Sequence, residues 1–109
     1  MVKLYCVQLV SALGHLHEKG VMYRDLQPGN VLVRHSGHIK LIDFGLSKFI
    51  DKSRNTVVGA PEFIAPEMIQ GHKAYSYSVD WWSLGILTYQ LVVGFAPFVA
   101  NYDDWQSNI

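Results

Sequence analysis

The stretch Tyr23-Arg24-Asp25-Leu26-Gln27-Pro28-Gly29-Asn30 sets a carboxylate and a carboxamide five residues apart, and Asp43-Phe44-Gly45 brings a second carboxylate thirteen residues later. These side chains suit chemistry on a phosphate. Moving a phosphoryl group needs a carboxylate to orient the attacking hydroxyl, and hard oxygen ligands for a magnesium ion that neutralises the phosphates. Asp25 can be the first, and Asn30 and Asp43 the second. For all three to meet one substrate, the chain must turn back on itself between residues 30 and 43.

The intervening sequence is suited to that turn. Val31-Leu32-Val33 and Ile39-Lys40-Leu41-Ile42 are short apolar, β-branched runs around the polar, glycine-containing Arg34-His35-Ser36-Gly37-His38, so the pattern predicts a hairpin. Its two ends are Asn30 and Asp43. Upstream, Val2, Tyr5, Cys6, Leu9, Leu13 and Leu16 recur at helical period over residues 2–18, with Gly20 placed to stop the helix. Val21-Met22 reads as a short strand feeding the loop. Downstream, residues 46–67 are polar and aperiodic until Pro61, and residues 70–78 form a polar link. Val79 to Val93 reads as a helix apolar nearly all round, and therefore buried. Ser78 is expected to cap it, Asp80 to sit at its positive end and Gly94 to close it. Residues 95–109 read as a loop and the start of another helix, with Trp105 packing.

Composition narrows the class of protein. The 109 residues fit one domain with a modest core, and a 50% hydrophobic content argues against disorder. Nine basic and nine acidic residues cancel without any run of like charge, which argues against a nucleic-acid or membrane-surface role. The apolar run at 79–93 is too short for a bilayer span and contains Asp80 and Gln90. No cleavable signal pattern opens the chain. The single Cys6 cannot form an internal disulfide, which fits a reducing compartment. Five histidines without ligand spacing read as structural.

Taken in order, Tyr23-Arg24-Asp25, Asn30, Asp43-Phe44-Gly45 and Ala65-Pro66-Glu67 resemble the signatures of the eukaryotic protein kinases at that family's spacing. Tyr23 and Val79-Asp80-Trp81-Trp82-Ser83-Leu84-Gly85 resemble the AGC group of Ser/Thr kinases. The likeness covers nearly the whole chain. It implies a mainly α fold with a short β-hairpin, a fragment of the C-terminal lobe of an α+β parent. The family's Gly-rich loop, strand lysine and glutamate partner lie upstream of the region matched, and the arginine that pairs with Glu67 lies downstream. Residues 1–109 are thus expected to be a partial kinase domain, inactive alone and of doubtful stability.

The resemblance implies transfer of the γ-phosphate of ATP, with Mg2+, to serine or threonine of a protein substrate, in the cytoplasm or nucleus. Asp25 would orient the substrate hydroxyl, Asn30 and Asp43 would hold magnesium, and Gln27 would contact phosphate. Leu32 would form the floor under adenine, although apolar packing alone also accounts for it. Phe44 is either core or the mobile aromatic that distinguishes active from inactive states. Residues 46–67 would be the activation segment, with Thr56 where AGC kinases carry the phosphothreonine placed by an activating kinase. Arg24 and Lys48 would receive that phosphate. Without the resemblance, Arg24 is a locally paired buried cation and Thr56 an exposed loop threonine. His17 and Asp80 would be scaffold, with His17 bonded to Asp80 and Asp80 anchoring the loop backbone.

Four positions depart from the family. Gln27 stands where its loop lysine contacts the transferring phosphate, and Ala60 where a threonine bonds to that lysine and to the catalytic aspartate. The electrostatic part of the contact is therefore lost. Gly29 and Gln90 replace glutamates that hold a substrate arginine in AGC kinases, although Glu62 remains. These departures sustain a second reading, a pseudokinase or nucleotide-sensing interaction module.

Overall fold

The computed structural model describes residues 2–50, 56–70 and 74–98. Helix α1 spans Val2–Glu18 and buries Leu9 and Leu13. It ends where Gly20 takes φ 79°, a left-handed conformation open to glycine without strain, and donates its N–H to His17 O at 3.0 Å. The short strand β1, Val21–Met22, then leads into the loop that holds Asp25.

Pro28–Asn30 form a single 3-10 turn that delivers Asn30 to the start of strand β2, Val31–Val33. Strand β3, Ile39–Leu41, returns antiparallel with Val31 opposite Leu41 and Val33 opposite Ile39. The expected hairpin is present, with its second strand ending one residue before Ile42. Arg34 N donates to His38 O and Gly37 N to Arg34 O, both at 2.8 Å, which closes the turn. Ile42 N then donates to Asn30 O at 3.0 Å, so the two ends of the hairpin are tied together.

Strand β4, Lys48–Phe49, departs from the aperiodic reading of residues 46–60. It pairs antiparallel with β1, Met22 opposite Lys48, and Ile50 N donates to Gly20 O at 2.7 Å. A two-residue strand has no period to detect, because backbone hydrogen bonding to β1 alone defines it. A 3-10 turn at Pro61–Phe63 and the short helix α2, Pro66–Gln70, follow. Each begins with proline, whose missing N–H costs nothing at a helix start.

Helix α3, Ser78–Val93, packs against α1. The Cys6 thiol donates to Thr88 Oγ1 at 3.3 Å across that contact, since the Thr88 hydroxyl itself donates to Leu84 O. One apolar cluster joins Leu9 and Leu13 of α1 to Leu84, Ile86 and Leu87 of α3, with Tyr23, Leu26 and Phe63 between them. A second gathers Met22, Ile64, Ala65, Met68, Tyr75 and Val79. The stretch of residues 22–26 thus contributes to both clusters.

Two expectations for α3 are corrected. It is buried on one face only: Val79, Asp80, Ser83, Leu84, Ile86 and Leu87 are covered, while Tyr89, Leu91, Val92 and Val93 are exposed. Among the described residues α1, the loop at residues 23–26 and the turn at Pro61–Phe63 all cover that same face, and all-round hydrophobicity does not say which faces are met. Nor does Ser78 cap the helix. The cap position is Tyr77, without a side-chain bond, and the Ser78 hydroxyl instead donates to Glu67 Oε1 at 3.1 Å. Gly94 closes α3 at φ 100°, its N–H on Gln90 O at 2.8 Å. Trp105 and the expected following helix lie outside the described residues.

Candidate functional site

Asp80 is fully buried in the first turn of α3, and its carboxylate accepts three hydrogen bonds. Tyr23 N donates to Oδ2, Arg24 N to Oδ1 and His17 Nε2 to Oδ2, each at 2.8 Å. A buried carboxylate requires such donors, and here two come from the backbone of the loop itself. The consequence is local geometry. Arg24 sits at φ 68°, a left-handed conformation rare for a long side chain, and the two bonds from Asp80 hold the kink in place. His17 is fixed in turn by Tyr77, at 4.5 Å between ring centroids, and by Trp81 edge-on at 5.2 Å.

The kink presents Asp25, half-buried, to a ring of amides. Gln27 Nε2 donates to Asp25 Oδ1 at 2.9 Å. Asn30 Nδ2 donates to Asp25 Oδ2 at 2.9 Å and to Asp25 O at 2.8 Å. Both Asn30 N–H bonds are used in this way, so its Oδ1 is the atom left for another partner. Each carboxylate oxygen keeps accepting capacity beyond the one amide bond it holds. The Gln27 amide is turned to Asp25, so it orients that carboxylate without adding a charge.

Tyr23, fully buried beside this loop, ties it to the other end of the hairpin by donating its hydroxyl to Ile42 O. Burial pushes its phenol well above the usual value of 10, and Asp25, Asp43 and Asp80 push the same way. Asp43 follows Ile42 at φ 57°, exposed, with Oδ1 accepting Gly45 N–H at 3.2 Å. Phe44, half-exposed, stands edge-on to Tyr23 at 5.4 Å. The hairpin therefore brings Asn30 and Asp43 to one side of the molecule as oxygen donors. Among the described residues no cluster of three or more His, Cys, Asp or Glu side chains could hold a metal ion. A two-oxygen set fits magnesium, which is commonly held by one or two protein ligands with phosphate and water completing the octahedron.

Arg24 and the residues around Thr56 meet through a third group. Arg24, 5% exposed, donates from Nε to Leu46 O at 2.7 Å and from Nη1 to Tyr75 Oη at 2.8 Å. The Tyr75 hydroxyl donates in turn to Thr56 O, while the Thr56 side chain is exposed. Gly59 passes over the loop so closely that a Cβ there would lie 2.9 Å from Arg24 O, and its φ of 106° also demands glycine. Beside it Ala60 lines a cavity of about 10 Å³ shared with Arg24, Asp25, Phe63 and Ser83, room for about one water.

The remaining sequence candidates stand apart. Leu32 lies half-exposed on β2 across from Lys40, Lys48 is exposed on β4, and Glu67 of α2 bonds Ser78. Gln90 Oε1 is buried without a hydrogen-bond partner among the described residues. Sequence reasoning missed Tyr75, Ser47, whose hydroxyl reaches Tyr23 O at 3.3 Å, and Ser83, whose hydroxyl reaches Phe63 O at 2.6 Å. Each acts through one hydroxyl on a distant carbonyl, and no spacing in the sequence announces such a bond.

Comparison with known proteins finds a matching family and several relatives. The protein kinase domain model matches residues 1–109. The chain is 48% identical over 102 residues to Protein kinase 2 of Dictyostelium discoideum, covering 92% of this chain and 21% of that protein. It is 43% identical over 111 residues to the serine/threonine-protein kinase AtPK1/AtPK6 of Arabidopsis thaliana, covering 100% and 24% respectively. It is 44% identical over 98 residues to cAMP-dependent protein kinase type 3 of Saccharomyces cerevisiae, covering 90% and 24%. The chain thus spans no more than about a quarter of the length of these curated relatives.

Proposed function

This chain belongs to the protein kinase family, beside serine/threonine kinases of the AGC type, and we propose that the polypeptide carrying it transfers the γ-phosphate of ATP to protein serine or threonine. The observation that carries the reading is the Asp25–Asn30 pair, in which both Asn30 N–H bonds fix Asp25 and leave the Asn30 carbonyl oxygen for a cation. Asp25 accepts the substrate hydroxyl and sets its line of attack. Gln27 and Asn30 hold the carboxylate through neutral amides, so its orientation does not depend on a lysine. Asn30 Oδ1 and Asp43 are the ligands for magnesium, which when bound with ATP neutralises phosphate charge. Catalysis of this kind rests on positioning and electrostatics, and the bonds from Asp80 to the loop supply the positioning.

Without a lysine at residue 27, one cation near the transferring group is missing, and the expected result is a slower enzyme rather than an inactive one. Gly29 and Gln90 offer no carboxylate to a substrate arginine, so the substrate class is a serine or threonine peptide without an arginine requirement at that subsite. Incubating the native polypeptide with γ-labelled ATP, magnesium and a broad set of protein substrates tests the reading. The expected outcome is label on serine or threonine, lost on chelation of magnesium. Binding of ATP with no transfer to any substrate would favour the nucleotide-sensing module instead.

A further inference from the structure

Arg24 is a fixed anchor. Its backbone N–H is held by Asp80 Oδ1 and its Nε by Leu46 O, and its φ of 68° leaves little freedom. Tyr75 lies 3% exposed among Met22, Ile64, Ala65, Met68 and Val79, so its ring is core, yet its hydroxyl needs polar partners there. Those partners are Arg24 Nη1, which donates to it at 2.8 Å, and Thr56 O, which accepts from it. A phenylalanine would fill the same apolar space and leave both groups short of a bond. We propose that Tyr75 is a positioning residue whose hydroxyl docks the Thr56 segment onto Arg24 before any phosphate is added.

A second contact points the same way and does not involve Tyr75. The main chain at Gly59 lies against Arg24 O, at a distance that no Cβ could share. The segment is therefore held at two places, through the Thr56 carbonyl on Tyr75, which Arg24 bonds, and through bare backbone at residue 59 against the loop itself. The Thr56 side chain stays exposed while its carbonyl is held, so the hydroxyl is accessible in the docked state. A phosphate on Thr56 would then reinforce an order that already exists, and Tyr75 sets the fraction of unphosphorylated molecules that are ordered. This step rests on the reading of residues 46–67 as an activation segment.

Tyr75→Phe in the native polypeptide tests it, because the ring is kept and only the hydroxyl is lost. Hydrogen exchange of the amides at residues 56–60 is expected to quicken roughly three- to tenfold, with α1 and α3 unchanged. Unchanged exchange at 56–60, or a uniform rise across all elements, would overturn the docking role. In the transfer assay, the unphosphorylated variant is expected to lose a similar factor in kcat with KM for ATP unchanged. Phosphorylation at Thr56 should recover most of that loss. Equal loss in both phosphorylation states, or loss in neither, would overturn the regulatory role. If the native polypeptide transfers no phosphate in any form, the kinase reading fails separately, and the exchange measurement still decides the docking.

Discussion

Replacing Asp80 by asparagine keeps the size of the side chain and removes one of its two acceptors. The carboxylate accepts Tyr23 N–H, Arg24 N–H and the His17 ring at 2.8 Å each, all in a fully buried site. Whichever way an amide is turned, its NH2 faces at least one backbone N–H. A buried donor left without an acceptor costs about 1–3 kcal/mol, and the surviving bonds fall from charge-assisted to neutral, about 1 kcal/mol more. Relaxation of Arg24 out of its left-handed conformation returns about 1 kcal/mol at most. The expected net loss is about 1–3 kcal/mol. Urea unfolding of the native polypeptide measures it, with the slope m compared so that a change in midpoint is a change in stability. His17→Ala removes one bond from a more accessible side and should cost about 1 kcal/mol. A loss below about 0.5 kcal/mol for Asp80→Asn, or a larger loss for His17→Ala, would refute the assignment of Asp80 as the group that holds the loop.

Gln27→Ala leaves Asp25 Oδ1 without its amide donor and should lower kcat roughly tenfold with KM for ATP nearly constant, as steady-state kinetics would show. Gly29→Glu together with Gln90→Glu should create a preference for arginine two residues before the target in a peptide library. A Cβ at Gly29 meets nothing within 4 Å, so the first change is sterically free. Tyr23 is held protonated in the fold, whereas the unfolded chain releases that proton from about pH 10, so the native state binds more protons above that pH and loses stability as pH rises. The slope approaches about 1.4 kcal/mol per pH unit, and Tyr23→Phe should abolish that component when urea midpoints are compared between pH 9 and 11.

The hairpin from Val31 to Leu41 was legible because two short β-branched runs flank a glycine turn, and its ends had to be neighbours. Helix α1 was legible because Leu9 and Leu13 repeat on the face that is buried. Strand β4 was not, since two residues carry no periodic signal and the partner strand lies far back in the chain. In α3 the apolar content gave the helix but not its burial, because hydrophobicity records what a face could contact and not what is there. Ser78 was misread because a capping residue and a first-turn residue share the same chemistry. Only the bond to Glu67 separates them.

At the site, the return of Asn30 towards Asp43 could be read from the hairpin pattern, whereas the bond from Asn30 to Asp25 was not read from the sequence, because it depends on the single 3-10 turn at Pro28–Asn30. The bonds from Asp80 to Tyr23 and Arg24 join residues 57 and 56 positions apart, and only the resemblance pointed to them. The Tyr75 hydroxyl lay beyond both approaches. It sits in a link that reads as polar turn formers, and its ring and its hydroxyl serve different neighbours.

Asp25→Asn is the most direct test of the central claim, that the carboxylate between Gln27 and Asn30 orients the hydroxyl that attacks ATP. The measurement is single-turnover transfer from γ-labelled ATP by the native polypeptide and its variant, with ATP binding and urea stability followed alongside. The account predicts that transfer to serine and threonine falls at least a hundredfold, while ATP binding and stability stay close to the unaltered protein. Undiminished transfer by a folded, ATP-binding Asp25→Asn variant would contradict it.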